Sequence, residues 1–303
     1  MGNPENASPA KSSSRVAVLA SRTLSSVAMW GIALGIVLSG QPVAFFILIA
    51  TLSMLGLWEF YRMLEGRGLH VFTATGLVAG FIFLSGSFYF LSEDDLALAH
   101  DFEICVLLLF VFTVFGRQFF GRLRGTGPLQ SMAYTLFGLL YVVWLFSFMT
   151  KLVFLPPVID GHLTGHWCVL WLVVVTKFCD MGAYLVGMMF GKHPLVPEIS
   201  PKKTWEGFFG SMLFSCIGAL GGFYFLQDQM PYLNWINVAI LGPLIGLSGV
   251  IGDLAESMIK RSMAAKDSGK LLPGIGGVLD LIDSLLFTAP VLYFYLRLVV
   301  GLS

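Results

Sequence analysis

INVAILGPLIGLSGVIGDLAESM, residues 236–258, reads as a helix that crosses a bilayer and changes character at its end. Residues 236–252 hold no ionisable side chain, and about 20 such residues suffice to cross the hydrocarbon core. Asp253, Glu256, Ser257 and Lys260 then follow at i, i+3, i+4 and i+7, which places them on one helical stripe. An ionisable group costs roughly 2.5 to 3.5 kcal/mol at a membrane helix centre on insertion scales, so charges beside an apolar run point to a functional site.

Working outward, the chain is 56% hydrophobic and 12% charged, where soluble domains carry about 25% charged residues. The reading is therefore an all-α polytopic membrane protein. Its 303 residues leave room for about eight to ten spans. Hydropathy predicts nine: 24–39, 43–62, 72–91, 102–116, 129–150, 167–189, 207–226, 236–258 and 278–299. With the N-terminus cytoplasmic and the C-terminus outside, Lys11, Arg15, Arg22, Arg62, Arg67, Arg117, Arg122, Arg124, Lys192, Lys202, Lys203, Lys260, Arg261, Lys266 and Lys270 fall on the cytoplasmic side. Lys151 and Arg297 fall outside, with Glu93, Asp94, Asp95 and Asp101, and Lys177 lies within a span.

Residues 1–14, MGNPENASPAKSSS, read as a disordered cytoplasmic tail with neither a signal peptide nor a myristoylation pattern. Residues 15–160 read as membrane helices serving as scaffold and lipid contact, and 161–303 as the catalytic part. In the first part, Glu59 is expected to pair locally with Arg62. Cys105, Cys168, Cys179 and Cys216 lack metal-ligand spacing and read as buried thiols. Zero net charge points to no partner by bulk attraction, and nothing suggests nucleic acid.

The second part holds three polar constellations. In TKFCDMGAYLVGMMFGKH, residues 176–193, Lys177, Asp180 and Tyr184 share a helix face. An internal ion pair and a contribution to a site are both open there. In SPKKTWEG, Ser200 to Gly207, Lys202, Lys203 and Thr204 precede a span. Backbone N–H groups at a helix N-terminus attract anions, while a lysine pair by itself also satisfies the positive-inside bias. Finally, SMIKRSMAAKDSGKLLPGIGGVLDLID, residues 257–283, is a polar island. Asp253, Asp280 and Asp283 offer oxygen ligands for a hard cation such as Mg2+, with Lys260, Arg261, Lys266 and Lys270 nearby to hold phosphates. His193 reads as a solvated or phosphate-contacting loop residue, and His70, His100, His162 and His166 form no cluster.

At these residues the chain resembles the CDP-diacylglycerol synthase, or phosphatidate cytidylyltransferase, family. That family's signature runs S-x-x-K-R-x4-K-D-x-G-x-x-[LIF]-P-x-H-G-G-x-x-D-R-x-D. Ser257, Lys260, Arg261, Lys266, Asp267, Gly269, Leu272, Pro273, Gly276, Gly277, Asp280 and Asp283 occupy its places. Ile275 stands where the family has His, and Leu281 where it has Arg. The resemblance extends to Asp180–Tyr184, Phe190–His193, SPKKTWEG and GDLAES, and covers residues 170 to 290.

The resemblance implies transfer of a cytidylyl group from CTP to phosphatidic acid, giving CDP-diacylglycerol and pyrophosphate with Mg2+. It assigns Asp253 and Asp280 to the metal, with Asp283 as an added ligand or orienter, and makes Lys202, Lys203, Lys260, Arg261 and Lys266 phosphate binders. Asp267 contacts metal or positions a lysine. Ser200, Thr204, Ser257, Lys177, Asp180 and Tyr184 join the substrate site. A second, monovalent cation and a homodimer are open to this chain. The implied setting is a bacterial inner membrane with the site facing the cytoplasm. The alternatives are a CTP-dependent enzyme acting on a polyprenyl or archaeal-type lipid, and an ion-coupled transporter.

Overall fold

A computed structural model describes residues 31–120, 125–159, 161–265, 268–269, 271 and 276–302. The expected N-terminal tail, residues 24–30 of the first expected span, and Lys266, Asp267, Lys270 and Ile275 lie outside them. Helix α1 covers 31–39. It is followed by α2 (Pro42–Glu65), α3 (Thr73–Ser92), α4 (Leu96–Phe119), α5 (Gly127–Gly138), a π-helical turn (Leu139–Trp144) and α6 (Leu145–Phe154). Then come α7 (Gly165–Phe190), α8 (Trp205–Leu226), α9 (Trp235–Ser262) and α10 (Leu279–Tyr295), which closes in a second π-helical turn (Leu296–Val300). Among the described residues 8 helices are long and apolar enough to span a membrane, Gly127–Phe154 counting as one. The all-α polytopic reading holds, with α1 the described end of the remaining expected span.

Burial separates central from peripheral spans. In the apolar 18-residue stretch of each span, 72% of residues are buried in Gly127–Phe154 and 67% in Leu279–Val300, against 28% in Leu96–Phe119. Peripheral helices leave Phe112, Phe115, Leu213 and Phe225 uncovered by protein. On an apolar helix this is the lipid-facing surface, since hydrocarbon solvates such side chains as well as a core does. Cys105 sits on that surface, whereas Cys168 and Cys179 are buried and Cys216 is half-buried. The expectation of four buried thiols therefore fails at Cys105, because α4 turns one face away from the bundle.

Two short antiparallel hairpins join helices. Val158–Ile159 (β1) pairs with His162–Leu163 (β2), and Pro194–Val196 (β3) pairs with Ser200–Thr204 (β4) in the register Pro194↔Thr204 and Val196↔Ser200. The second hairpin lies between α7 and α8, whose backbones approach closely where Gly182 faces Gly210. Small residues permit such approach and are a common basis of helix packing in membranes.

Lys151, expected in an outer loop, is instead inside α6 and 1% exposed. Its Nζ lies 2.5 Å from Glu103 Oε2 on α4, and the other Glu103 oxygen accepts a hydrogen bond from Ser87 Oγ at 2.6 Å. The ammonium also sits 4.5 Å from the Phe148 ring centroid. A buried cation needs such partners, because desolvation without them costs several kcal/mol. This pair ties α3, α4 and α6 together.

Candidate active site

The segments that carry the polar constellations converge. Lys177, Asp180 and Tyr184 come from α7, Lys202, Lys203 and Thr204 from β4, Asp253, Glu256 and Lys260 from the last third of α9, and Asp280 and Asp283 from the first turns of α10. They line one pocket of about 420 Å³, with Cys179, Phe208 and Ser284 among its walls. Buried ligand pockets run from roughly 300 to 1,000 Å³.

Backbone contact sets the spacing of the acids. Gly252 on α9 meets α10 so closely that a Cβ there would lie 2.7 Å from the Asp283 carbonyl oxygen and 3.0 Å from Ser284 Cα. Only glycine allows this approach, and it brings the next residue, Asp253, beside Asp283. Asp253, Glu256 and Asp283 each present an oxygen within 4.8 Å of the others. Glu256 and Asp283 are buried, and Glu256 Oε1 has no hydrogen-bond partner among the described residues. Three converging carboxylates, one with an orphaned oxygen, fit a hard divalent cation with oxygen ligands.

Lysines interleave with these acids. Lys203 Nζ is 2.8 Å from Asp253 Oδ2, and Lys260 Nζ is 2.5 Å from Glu256 Oε2 and 2.9 Å from Asp280 Oδ1. Lys177 Nζ is 3.1 Å from Asp180 Oδ2. The pair forms within α7, is half-exposed, and lines the pocket.

Asp280, an expected ligand, lines the same pocket with its carboxylate engaged by neighbours. Besides Lys260, its carboxylate accepts hydrogen bonds from the N–H groups of Gly277 at 2.8 Å and Ser268 at 3.2 Å. The acid that joins Asp253 and Asp283 within ligand distance is Glu256. Its signal was the stripe on residues 253–260, which showed the face but not which acid completes the group.

Thr204 caps α8, its Oγ1 accepting from Gly207 N–H at 3.1 Å, so the helix start is held by the chain itself. Lys202 and Lys203 extend from the adjoining strand into the pocket. Ser200 sits at the start of β4, and neither it nor Ser257 lines the pocket. Arg261 donates to the carbonyls of Ile199 at 3.3 Å and Ala265 at 3.5 Å, which links the hairpin to the end of α9. His193 is exposed and pairs through Nδ1 with Glu206 at 2.6 Å, outside the pocket lining. Leu281, where the related family has Arg, packs half-buried against the core.

Glu59 was the largest omission. The expected pair with Arg62 does not form; Arg62 Nη1 lies 3.9 Å from Glu65 and points outward, while Glu59 is buried and its Oε2 accepts from Leu279 N–H at 3.0 Å. Helical spacing alone could not reveal this, because the competing partners belong to α10, more than two hundred residues away in sequence.

Fold and pocket together define a polytopic membrane protein whose carboxylates and lysines gather at one end of the bundle. Residues 20–299 match the model of the cytidylyltransferase family. The chain is 32% identical over 255 residues to a phosphatidate cytidylyltransferase of Bacillus subtilis, an alignment covering 84% of this chain and 89% of that protein. It is 34% identical over 275 residues to one from Synechocystis, covering 82% and 87%. A 39% match over 173 residues to the uncharacterized protein YnbB of Escherichia coli covers 57% of this chain and 56% of that one. The chain belongs to the cytidylyltransferase family and is a membrane-embedded nucleotidyltransferase of the CDP-diacylglycerol synthase type.

Proposed function

We propose that the protein is a phosphatidate cytidylyltransferase in phospholipid biosynthesis. A phosphate oxygen of phosphatidic acid attacks the α-phosphorus of CTP, the bond from that phosphorus to the bridging oxygen breaks, and pyrophosphate leaves with CDP-diacylglycerol formed. The observation that carries this reading is the pocket where Asp253, Glu256 and Asp283 converge among Lys177, Lys203 and Lys260 at the bundle's end.

The nucleophile is already an anion and needs no strong base. The residues therefore have two tasks, to screen like charge between two phosphorylated substrates and to hold them in line. Lys202, Lys203 and Lys260 line the pocket, Lys203 paired with Asp253 and Lys260 with Glu256; with a cation held by those carboxylates, the lysines would be free to meet phosphate oxygens. Asp253, Glu256 and Asp283 would hold Mg2+, whose bound form supplies charge neutralisation on the nucleotide phosphates. Asp280 keeps Lys260 aimed into the pocket. Tyr184 and Phe208 add apolar surface at its wall.

The site faces the cytoplasm, where CTP is available, in a bacterial inner membrane, with the N-terminus inside and the C-terminus outside. The excess of basic residues on that side supports the orientation. An ion-coupled transporter is disfavoured because, apart from the Lys177–Asp180 pair in the middle of α7, the pocket charges gather before α8, at the start of α10 and in the last third of α9. They do not mark a route through the bundle.

Purified protein incubated with labelled CTP and phosphatidic acid is expected to yield a CDP-lipid and pyrophosphate in equal amounts, and neither without Mg2+. Release of CDP in place of pyrophosphate would overturn the reaction. A product with polyprenyl phosphate but none with phosphatidic acid would overturn the substrate.

A further inference from the structure

Helix α10 begins without a cap of its own. Val278 occupies the N-cap position and has no side chain that can accept a hydrogen bond. The first N–H groups of a helix lack partners within it and need acceptors from elsewhere. Here the acceptor for Leu279 N–H is Glu59 Oε2, 3.0 Å away on α2, and the acceptor for Asp280 N–H is Ser268 Oγ at 3.3 Å. Ser268 Oγ in turn donates to Glu59 Oε2 at 3.4 Å. A carboxylate from the first part of the chain thus closes the start of the helix that carries Asp280 and Asp283, where the helix dipole favours negative charge.

The surrounding backbone is shaped around this carboxylate. A Cβ on Gly277 would lie 2.6 Å from Glu59 Oε2, and one on Gly269 would collide with Oε1 and Cδ of the same side chain. Glu59 is 1% exposed, and Oε1 has no hydrogen-bond partner among the described residues. Burying a carboxylate is expensive, and an isolated apolar contact between α2 and α10 would have served packing without that cost.

From Glu59 a continuous set of contacts reaches the acids of the pocket. Ser268 N–H donates to Asp280, Asp280 holds Lys260 at 2.9 Å, and Lys260 holds Glu256 at 2.5 Å. We propose that Glu59 is a positioning residue for the reaction, capping α10 from α2 so that Asp280, Lys260 and the Asp253–Glu256–Asp283 group stand in register. The inference rests on the cytidylyltransferase reading for its activity arm. It makes the N-terminal helices part of the catalytic apparatus, beyond scaffold and lipid contact.

The test uses full-length Glu59→Gln and Glu59→Asp proteins beside the wild type and Ser268→Ala. Two readouts are taken, steady-state rates with CTP and phosphatidic acid, and the rise in melting temperature on titrating MgCl2 without substrate. Glu59→Gln is expected to lower kcat about tenfold or more with a smaller change in KM, a loss of roughly 1.4 kcal/mol or more by the usual conversion. It should also raise the MgCl2 concentration at half-maximal thermal shift, with Glu59→Asp falling between it and the wild type. Ser268→Ala combined with Glu59→Gln should cost less than the sum of the two, since both act on one contact. Wild-type kcat and an unmoved MgCl2 midpoint in Glu59→Gln would overturn the proposal. So would a loss of rate that only mirrors a loss of folded protein, with the MgCl2 midpoint unchanged. If the wild type itself makes no CDP-lipid, the reaction reading fails, and the MgCl2 titration still decides the positioning role.

Discussion

Among the described residues, two places bury lysine against carboxylate, and they are built to opposite ends. Between α4 and α6, Lys151 and Glu103 meet one to one, 1% and 4% exposed at their side chains, with Ser87 taking the second carboxylate oxygen. At the pocket, Asp180, Asp253, Glu256, Asp280 and Asp283 stand with Lys177, Lys202, Lys203 and Lys260, Asp253 is 41% exposed at its side chain, and one Glu256 oxygen has no partner among the described residues. The first site is complete as it stands. Among the described residues the second holds more carboxylate than cation, beside a cavity that admits a ligand. Buried charge in a membrane protein is therefore not by itself a functional mark; unmatched charge next to space is.

The comparison breaks most readily at Lys151. Lys151→Met leaves Glu103 buried and uncompensated, and should cost about 3 to 5 kcal/mol of stability, read as a lower melting temperature in detergent. The double variant Lys151→Met with Glu103→Gln should recover much of it. Activity per folded molecule is expected to stay near wild type in both, and a selective fall in kcat would place this pair in the reaction.

Asp283→Asn addresses the other site. It should reduce CDP-lipid formation on the order of 100-fold, about the 3 kcal/mol that removal of one electrostatic stabiliser costs, with melting temperature unchanged or raised as one buried charge is relieved. Retained activity at saturating Mg2+ would remove Asp283 from the cation site.

Lys203→Ala gives the smallest effect. A partly exposed ion pair contributes about 0 to 1 kcal/mol to stability, so folding should hardly change, while KM for CTP rises roughly tenfold through one lost charge-assisted phosphate contact. A raised KM for phosphatidic acid alone would move Lys203 to the lipid side of the pocket.

Much of this was legible in advance, for identifiable reasons. Spans are legible because a bilayer demands about 20 apolar residues at a stretch, and each described span contains or overlaps an expected one. The stripe Asp253, Glu256 and Lys260 was legible because helical periodicity fixes which residues share a face. The failures all involve partners chosen across the bundle. Glu59 was given to Arg62 by spacing and taken by Leu279 in the fold. Lys151 was given to an outer loop and is buried opposite Glu103. The partners of Asp280, which are Lys260, Gly277 and Ser268, were likewise not legible from spacing, and its place among the ligands stays an expectation.

By itself the sequence determined the environment, the helices and the family, since all three depend on local composition and on residue types at fixed spacing. Only the tertiary structure decided which acids converge and which are spent on holding the chain in place. The physical reason lies in contacts such as Gly252 against the Asp283 carbonyl and Glu59 beneath Leu279. Hydrogen bonds and ion pairs act over a few ångströms, so the pairing of charges is settled by helix packing and not by distance along the chain.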